Sequence, residues 1–294
     1  MTVGIGNFQD ALEPIAKKSF HLGLGKEVDS RRNIFYKVEK SDKLMETYLE
    51  IGDISTVPQF DGELDYDTWD QGHKNTITAK EYAKGLKIER RFVRTDQLRV
   101  AKQLPEMLGL AMRRRLASDA VYWANNAFST AYATRDALAL CSSAHTSEVG
   151  GSNQSNRIVT AFSAVNLEAA KITMRKFLSN RDNVLDIMPD MLVGPIDLDD
   201  SFQEVIHSKG KVSTANNDIN VSYGKYKAIT DIRISDTNNW FLVDSDLMKQ
   251  FQIWNEVDPV EFKKSENFDG LVAKYMVYCF YGFGSIGWEW ALGS

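Results

Sequence analysis

Residues 105–129 read PEMLGLAMRRRLASDAVYWANNAFS, and this stretch decides the fold. Pro105 lacks the amide hydrogen that an interior helical turn needs, so we expect it to begin the main helix or to kink it. From Pro105, about 24 residues at 1.5 Å each would span about 36 Å. The stretch predicts a long amphipathic helix, because apolar residues recur every four positions along one side: Leu108, Met112, Leu116, Ala120, Ala124 and Phe128.

The first 30 residues predict an arm instead of a packed unit. They contain four glycines and one short helical stretch, residues 10–18. Glycine weakens helices and strands alike, and a terminus without a core of its own is poorly ordered unless it is tied down. We therefore expect residues 1–30 to form an extended arm.

Residues 31–93 predict a long β excursion. Residues 33–38 and 45–51 are rich in aromatic and β-branched side chains and predict two strands. Residues 85–93 alternate apolar and polar side chains, as a half-buried strand does. The whole segment has too little apolar content to fold alone, so we expect it to lie on another surface.

The remainder of the chain mixes helices and strands without an alternating βα rhythm, so the fold class is α+β. Residues 166–178 predict a helix, and residues 187–195 a strand bracketed by prolines. A further helix is predicted from Asp197 to Gly210, with an apolar side at Leu198, Phe202, Val205 and Ile206. Strands are predicted in the C-terminal part over 226–234, 240–243, 251–254 and 271–283.

Composition excludes several classes of protein. With 43% hydrophobic residues and a net charge of −5 over 294 residues, the chain is not intrinsically disordered. Its two cysteines, Cys141 and Cys279, cannot build a disulfide scaffold. No apolar run is long enough to span a membrane, and the N-terminus does not read as a signal peptide. We expect a soluble, cytosolic protein.

Charge is unevenly distributed along the chain. Residues 84–115 carry ten Lys and Arg against three acids, whereas residues 61–70 carry five acids and no base. Residues 182–204 carry seven acids and no base. Such blocks are typical either of solvated faces or of complementary surfaces that meet between subunits.

The search for catalytic chemistry finds little. Residues 282–287, GFGSIG, match a dinucleotide-binding pattern, but only seven residues follow them, so a glycine-rich β turn is favoured. Cys141 and His145 are either a thiolate pair or a buried thiol beside a hydrogen-bonded histidine. The four histidines show no metal-ligand spacing. We assign no catalytic residue, cofactor or metal.

Two charged clusters also have ordinary explanations. Asp197, Asp199 and Asp200 suit a hard cation, but acids at a helix N-terminus are stabilised by the helix dipole. Arg113, Arg114 and Arg115 project about 100° apart on a helix, so they cannot form one groove-reading face. Loose contact with phosphates, or with acids of a neighbouring subunit, stays open for these arginines.

Several motifs in order resemble the major capsid proteins of tailed bacteriophages, on the Hong Kong 97 fold, and most closely the Mu-like major head subunit family. Residues 78–93, TAKEYAKGLKIERRFV, look like the strand that leaves the E-loop. Residues 140–146, LCSSAHT, with the glycines and Asn156 that follow, resemble a family loop. Residues 187–195, IMPDMLVGP, are similar to the family's proline-bracketed strand. The NWFL and GWEW segments near the end complete the series.

The resemblance implies a division of the chain into five parts. These are an N-arm (1–30), an E-loop hairpin with its return strand (31–93), a peripheral domain with a long spine helix (94–189), an axial domain (190–265) and C-terminal strands that return to the peripheral domain (266–294). Some relatives carry a scaffolding extension before the arm. Because this sequence begins directly with the arm, we expect a separate scaffolding protein or prior cleavage.

The resemblance implies a structural protein and no enzyme. Its copies would form pentamers and hexamers of an icosahedral shell around double-stranded DNA, assembled in the host bacterial cytoplasm and ending in the virion. Implied partners are other copies, a scaffolding protein, a portal, the packaged DNA and a cement or decoration protein, with no membrane. Some relatives crosslink their subunits, but no matching residues align here and no crosslink is predicted.

Interface residues follow from the charge blocks within this resemblance. We expect the acids of the E-loop to meet a basic surface of the adjacent subunit, where many weak pairs act together. The predicted acids are Asp61, Glu63, Asp65, Asp67 and Asp70. The predicted bases are Arg90, Arg91, Arg94, Arg113, Arg114 and Arg115.

Three alternatives stay open at this point. An encapsulin-type nanocompartment shares the fold and would enclose an enzyme cargo. A tail-tube subunit would form rings or tubes instead of closed shells. An enzyme that uses Cys141 and His145 would lose turnover when both are replaced by alanine.

Overall fold

The computed structural model describes residues 5–25, 28–54, 56–62, 64, 66–68, 70–89, 98–210, 219–267 and 272–294. Its described strands form two four-stranded sheets and one separate hairpin. The first sheet has the order β1 (Lys37–Lys40), β8 (Gln252–Asn267), β9 (Val272–Ser285) and β4 (Lys80–Glu89). The second has the order β10 (Ala291–Gly293), β7 (Phe241–Val243), β5 (Met191–Pro195) and β6 (Lys227–Asp231). The hairpin pairs β2 (Met45–Ile51) with β3 (Gln71–Thr78).

The long helix predicted from the opening stretch is present as α3 (Leu98–Ala120). Its apolar side is buried as predicted, at Leu108, Met112, Leu116 and Ala120. Pro105 lies inside the helix and does not begin it. The helical pattern ends nine residues earlier than expected, and a short helix α4 (Tyr122–Asn125) follows.

The N-terminal arm differs from the expectation of an extended segment. Helix α1 (Ile5–Leu24) is 20 residues long and packs along α3. Phe20 is fully buried and stacks on Phe262 of β8, with ring centroids 4.7 Å apart. The helical stretch predicted over residues 10–18 was therefore too short, because burial against α3 and β8 stabilises a helix that contains weak helix formers.

Two glycines allow α1 and α3 to cross in close contact. A Cβ atom on Gly109 would lie 2.3 Å from the carbonyl oxygen of Phe20, and one on Gly23 would lie 2.1 Å from that of Glu106. Real side chains cannot occupy such positions. Glycine inside a helix costs about 1 kcal/mol relative to alanine, and here the close approach of two backbones explains its presence.

Other predicted elements are shifted. Residues 33–35 are the end of helix α2 (Val28–Phe35), and β1 begins only at Lys37. The strand expected over 33–38 was therefore wrong for residues 33–36 and right for residues 37 and 38. Phe35 and Tyr36 are buried against aromatic rings, which explains a strand-like composition at a helix end. Strand β4 begins five residues before the predicted strand, and residues 90–93 lie outside the described part.

The later helices and strands agree with the predicted types, with adjusted ends. Helix α5 spans Ala164–Met174 and helix α6 spans Asp199–His207, the latter after a 3-10 turn at Ile196–Leu198. A further short helix, α7 (Ser245–Phe251), precedes β8. Strand β8 joins the first sheet and β10 the second. Strand β8 continues directly from α7, which brings the chain to the first sheet by residue 252.

The core runs continuously from one sheet to the other. Aromatic rings connect the parts: Trp123 at the end of the long helical region contacts Phe35, Phe241 and Trp290. A second aromatic group lies on the first sheet, where Trp254 stacks on Tyr281 at 4.5 Å. These contacts hold both sheets around α3 and α4 and leave the β2–β3 hairpin outside the core.

Candidate subunit interface

The β2–β3 hairpin carries apolar side chains that the rest of the described chain does not cover. Its strand β2 alternates exposed and half-buried residues, with Met45 56% exposed and Ile51 63% exposed. Beyond the strands, Val57 is 88% exposed, and Phe60, Leu64 and Tyr66 are exposed as well. A two-stranded hairpin is marginally stable in water unless another surface covers it. This hairpin is therefore a candidate contact with another molecule.

Two asparagines of the loop after α5 hold one side of the hairpin at its far end. The amide nitrogen of Asn180 donates to Glu50 Oε1 at 2.8 Å, and its oxygen accepts from the backbone N–H of Asp53 at 2.9 Å. The amide nitrogen of Asn183 donates to Asp53 Oδ2 at 2.8 Å. Hydrogen bonds to Asp53, first that from Asn183, lower the pKa of its carboxyl group. We call residues 179–183 the clasp.

Arg181 of the clasp holds the other side of the hairpin. Its guanidinium donates to both carboxylate oxygens of Asp67, at 2.9 and 3.1 Å, and to Asp70 Oδ2 at 2.6 Å. It also donates to the carbonyl of Thr68 at 3.1 Å. Two of the five predicted interface acids therefore meet a cation of their own chain, and that cation lies outside the predicted basic block.

Further polar contacts fix the hairpin to the body. Tyr48 of β2 donates to Asn255 of β8 at 3.1 Å, and the side chain of Asn75 on β3 donates to the carbonyl of Ser285 at 2.6 Å. Glu50 lies 3.0 Å from Arg135, which also pairs with Glu289. These contacts leave a cavity of about 530 Å³ between the hairpin and the body. The hairpin is thus attached mainly by polar groups, and its one buried isoleucine, Ile77, lies against Gly284 of β9.

His145 lies in the loop between α4 and α5, at the centre of a hydrogen-bond network. Its Nδ1 lies 2.6 Å from Asp136 Oδ2, and its Nε2 lies 3.0 Å from Asn156 Oδ1. Asn156 donates through its nitrogen to the carbonyls of Leu140 and Ala291, so its oxygen faces the ring. Both ring nitrogens therefore face oxygen atoms of neighbouring side chains, which fix the orientation of the ring.

The ring of His145 also packs against an aromatic neighbour. It stacks on Trp288, with ring centroids 4.4 Å apart and planes 3° from parallel. Burial opposes ionisation of Asp136, but the hydrogen bonds from His145 and Thr134 outweigh this effect and lower the pKa of Asp136 to about 2. The carbonyl oxygen of Thr146, the next residue, lies 3.0 Å from Nε2 of the hairpin's His73. The network therefore supports the hairpin's attachment.

The arrangement does not suit thiolate catalysis. Cys141 is buried, and this burial raises the pKa of its thiol far above the ordinary value. His145 is occupied on both nitrogens by Asp136 and Asn156. The structure therefore supports the buried thiol and hydrogen-bonded histidine of the sequence analysis, and not an activated nucleophile.

The other sequence motifs have structural roles. The GFGSIG segment contributes Gly282 and Gly284 to β9 and is followed by no helix, unlike a phosphate-binding loop. Asp199 begins α6 and accepts a hydrogen bond from Thr230 at 2.8 Å. Across the described residues, no group of three or more His, Cys, Asp or Glu side chains is placed to hold a metal ion. In the same part of the chain, no helix is both long and apolar enough to cross a membrane.

The three consecutive arginines point in different directions, as predicted. Arg113 is half-buried near Gly25, and Arg114 is exposed. Arg115 lies over the ring of Tyr82, 4.4 Å from its centroid, and pairs with the buried Asp119 at 2.8 Å. Five other predicted interface residues lie outside the described residues: Glu63, Asp65, Arg90, Arg91 and Arg94.

No single signal in the sequence identified the clasp. Five acids without a base over residues 61–70 require cations from elsewhere, but Arg181 lies more than 100 positions away and stands between polar residues. A block of acids can indicate that a cation is needed, and only the fold assigns which one.

A long helix on a four-stranded sheet, a second sheet and a projecting hairpin define a shell subunit of the Hong Kong 97 type. The family model described as phage capsid protein matches residues 74–292. The chain belongs to the phage capsid protein family, and it is a major capsid protein that forms the shell of the virion. The match does not distinguish the Mu-like group, which stays a prediction. No curated protein matches the chain.

Several solved structures with the same fold are bacteriophage capsids. The mature capsid of bacteriophage PhiM1 is similar with a TM-score of 0.58 and 10% identity, over 89% of this chain and 85% of that chain. The procapsid of bacteriophage JBD30 has a TM-score of 0.53 and 16% identity, over 97% and 74%. The JBD30 capsid decorated with minor capsid protein trimers has a TM-score of 0.54 and 15% identity, over 69% and 90%. At these identities the similarity concerns the fold.

Proposed function

We propose that this major capsid protein assembles into the pentamers and hexamers of an icosahedral shell around double-stranded DNA. The observation that carries the proposal is the β2–β3 hairpin, whose exposed apolar side chains find no cover within the described chain. Burial of one such side chain contributes about 1.5–3 kcal/mol. A neighbouring copy that covers the hairpin supplies this burial at every subunit contact.

Charge contributes a second part of the proposed contact. Arg181 pairs with Asp67 and Asp70 within the chain. The other acids of the block, Asp61, Glu63 and Asp65, are proposed to face the neighbour, as the acidic block predicts. The proposed bases on the neighbour are Arg90, Arg91, Arg94, Arg113 and Arg114. Arg115 is left out of this set because it pairs with Asp119 of its own chain. Each exposed pair contributes about 0–1 kcal/mol, so the contact depends on many copies.

The proposed domain division follows the five predicted parts with two changes: β8 leaves the axial domain, and β10 joins it. Helix α1 serves as the N-arm, and the second sheet with α6 forms the axial domain, which apart from β10 we end near residue 251 because β8 belongs to the first sheet. The peripheral domain contains α3 with the first sheet. We also propose that the chain belongs to the Mu-like group of major head subunits.

The proposed partners are a scaffolding protein and a portal during assembly, which takes place in the host bacterial cytoplasm. The JBD30 procapsid supports a precursor stage, and the decorated JBD30 capsid supports a cement or decoration protein outside the shell. We propose that the protein acts without catalysis; the burial of Cys141 and the hydrogen bonds of His145 support this proposal.

The test is negative-stain electron microscopy, with sizing, of the purified chain alone and with a candidate scaffolding protein. We expect closed angular shells, or uniform pentamer and hexamer rings. Reversing the charge of Asp61, Glu63 and Asp65 together should reduce the yield of shells. The matched control reverses Asp197, Asp200 and Glu204 and should leave the yield unchanged. A chain that stays monomeric with scaffold present would contradict the proposal.

A further inference from the structure

A short extended segment, residues 156–160, runs along the outer edge of the second sheet. It lies beside β10, the strand at one end of that sheet, where Arg157 pairs in parallel with Gly293. The backbone N–H of Ile158 donates to the carbonyl oxygen of Gly293 at 2.9 Å, and the N–H of Gly293 donates to that of Asn156 at 2.9 Å. Residues 156–160, which we call the edge segment, therefore extend the sheet by one irregular strand.

The outer side of the edge segment is open. The backbone N–H and C=O of Val159 form no hydrogen bond with another described residue, and Val159 is 85% exposed. Residues 158–162, IVTAF, contain neither a charged residue nor a proline, two features that commonly keep other chains from pairing with an exposed edge. An edge of this kind accepts an extended segment of another chain through backbone hydrogen bonds.

A cavity of about 410 Å³ opens beside the edge segment. Ligand-binding pockets have volumes of about 300–1,000 Å³, so this cavity can hold a large side chain. Two of its walls are fixed by aromatic contacts, because Phe128 stacks on Phe241 of β7 and Phe162 contacts Phe202 of α6 with ring centroids 4.6 Å apart. The apolar residues that line it are Phe128, Ile158, Val159, Ala161, Phe162 and Leu198.

Arg157 adds a positive charge to this cavity. Its guanidinium carbon lies 5.3 Å from the ring centroid of Phe128, which holds the group beside the apolar wall. Across the ranges that the structure describes, this guanidinium forms no hydrogen bond and no ion pair. Arginine binds carboxylates through paired hydrogen bonds. The cavity, Arg157 and the outer side of the edge segment, together called the edge pocket, thus suit a segment that combines acids with large apolar side chains.

Residues 60–66, FDGELDY, have that composition. This tip segment lies in the connection between β2 and β3, and its Phe60, Leu64 and Tyr66 are exposed. A second loop with exposed apolar side chains, residues 219–223, reads INVSY and contains no acid. The described lining of the edge pocket includes no residue of the tip segment, so the pocket is not filled by its own chain.

We propose that the edge pocket receives the tip segment of a neighbouring copy. Leu64 enters the cavity, a carboxylate of the tip segment binds Arg157, and the extended backbone pairs with Val159. The inference rests on the proposed function and goes further, because it names the surface of the neighbour that receives the hairpin. Each copy then contributes one tip segment and one edge pocket, and such head-to-tail contacts close into rings when the rotation between copies allows it.

The first experiment joins the two surfaces covalently in assembled shells. Shells are formed from an equal mixture of Leu64→Cys chains and Val159→Cys chains and are then oxidised under mild conditions. Because Cys141 and Cys279 are buried, the introduced cysteines are the reactive thiols. Linked chains are separated on a non-reducing gel, and mass spectrometry identifies the joined peptides. The matched control mixes Val159→Cys chains with Ile219→Cys chains, since Ile219 is an exposed apolar residue of the loop without acids.

We expect disulfide-linked pairs in the Leu64→Cys and Val159→Cys shells, and few in the same mixture before assembly or in the control shells. Shells that form without this link, or with equal linkage in the control, would overturn the inference and leave the proposed function standing. Links between two Val159→Cys chains would overturn it too, because the edge segment then meets a second edge segment. A wild-type chain that forms no shells would contradict the proposed function, and the inference would fall with it.

The second experiment does not require assembly. A fluorescent peptide of residues 57–68 is titrated with the unassembled full-length chain, and binding is followed by anisotropy. Loss of a charged hydrogen-bond partner should weaken binding by about tenfold or more, so we expect this loss of affinity for Arg157→Gln. The control variant Arg175→Gln removes another exposed arginine, which reaches Asp186 only at 4.0 Å, and should bind as the wild type does. Equal affinities of the two variants would overturn the assignment of Arg157.

Discussion

The chain contains two antiparallel hairpins that obtain their stability in different ways. The β8–β9 hairpin is covered on one face by α1 and α3, and its Trp254, Tyr281 and Phe283 stack on one another within it. The β2–β3 hairpin is held mainly by the polar clasp, with Ile77 as its buried apolar residue, and leaves most of its other apolar residues exposed. The first hairpin has its core within one chain, whereas we propose that the second obtains most of its apolar cover from a neighbouring copy.

The largest expected effect tests the buried hairpin. Trp254 is fully buried, and its ring also contacts Tyr36 at 5.5 Å. Trp254→Ala should lower the free energy of unfolding of the unassembled chain by about 3–5 kcal/mol, because it leaves a cavity among aromatic rings. The counterpart on the exposed hairpin, Leu49→Ala, should change it by less than about 0.5 kcal/mol. Chemical denaturation measures both, and similar losses would abolish the distinction between the hairpins.

The second prediction concerns the packing of α1 against α3, the two helices that cover the β8–β9 hairpin. Gly109→Ala should improve helix propensity by about 1 kcal/mol, yet the added carbon would lie 2.3 Å from the carbonyl oxygen of Phe20. We expect a net loss of about 1–3 kcal/mol in unfolding free energy, as for other overpacked sites. The control is Gly210→Ala, where the added carbon meets nothing within 4 Å. A stabilised Gly109→Ala variant would show that α1 does not pack as described.

The pH dependence of the unfolding free energy tests the network of Asp136 and His145 that supports the exposed hairpin. The pKa of Asp136 is about 2 in the folded chain, below the value of about 3.9 for an unfolded aspartate. The resulting stabilisation, about 2 kcal/mol, is complete above about pH 5 and is lost as the pH falls through about 2. Asp136→Asn should lack this part of the pH dependence, measured by denaturation over a pH series. Parallel curves for wild type and variant would contradict the network.

The smallest effect concerns the clasp. Arg181→Gln removes the contacts to Asp67 and Asp70. Amide hydrogens of β2 and β3 should then exchange faster with solvent, while those of β8 and β9 keep their rates. Arg175→Gln is the control, since Arg175 reaches Asp186 only at 4.0 Å. Unchanged exchange in the hairpin would show that Arg181 does not hold it.

The buried elements could be predicted from the sequence where local pattern and burial agree. The four-residue spacing from Leu108 to Ala120 gave α3, and the boundaries of β2 were predicted residue for residue. Helix α1 was underestimated because Pro14 and Gly23 weaken a helix locally, and only contact with α3 compensates. The order of family-like motifs predicted the fold class, which the family match and the capsid structures confirm.

The clasp could not be predicted for a physical reason. Arg181 and its partners Asp67 and Asp70 are joined by tertiary folding alone, and an arginine in a polar loop has no distinguishing pattern. The same holds for His145, since folding brings its ring to Asp136 and Asn156 together. Polar contacts between distant loops leave no periodic trace in a sequence, unlike apolar faces.

The central claim is that a neighbouring copy covers the β2–β3 hairpin in the shell. Hydrogen–deuterium exchange of the free subunit and of assembled shells tests it most directly, with peptides from β2–β3 compared with peptides from β8–β9. The account predicts strong additional protection of residues 45–62 on assembly and little change over Val272–Ser285. Equal exchange of the hairpin in free subunits and shells would contradict it.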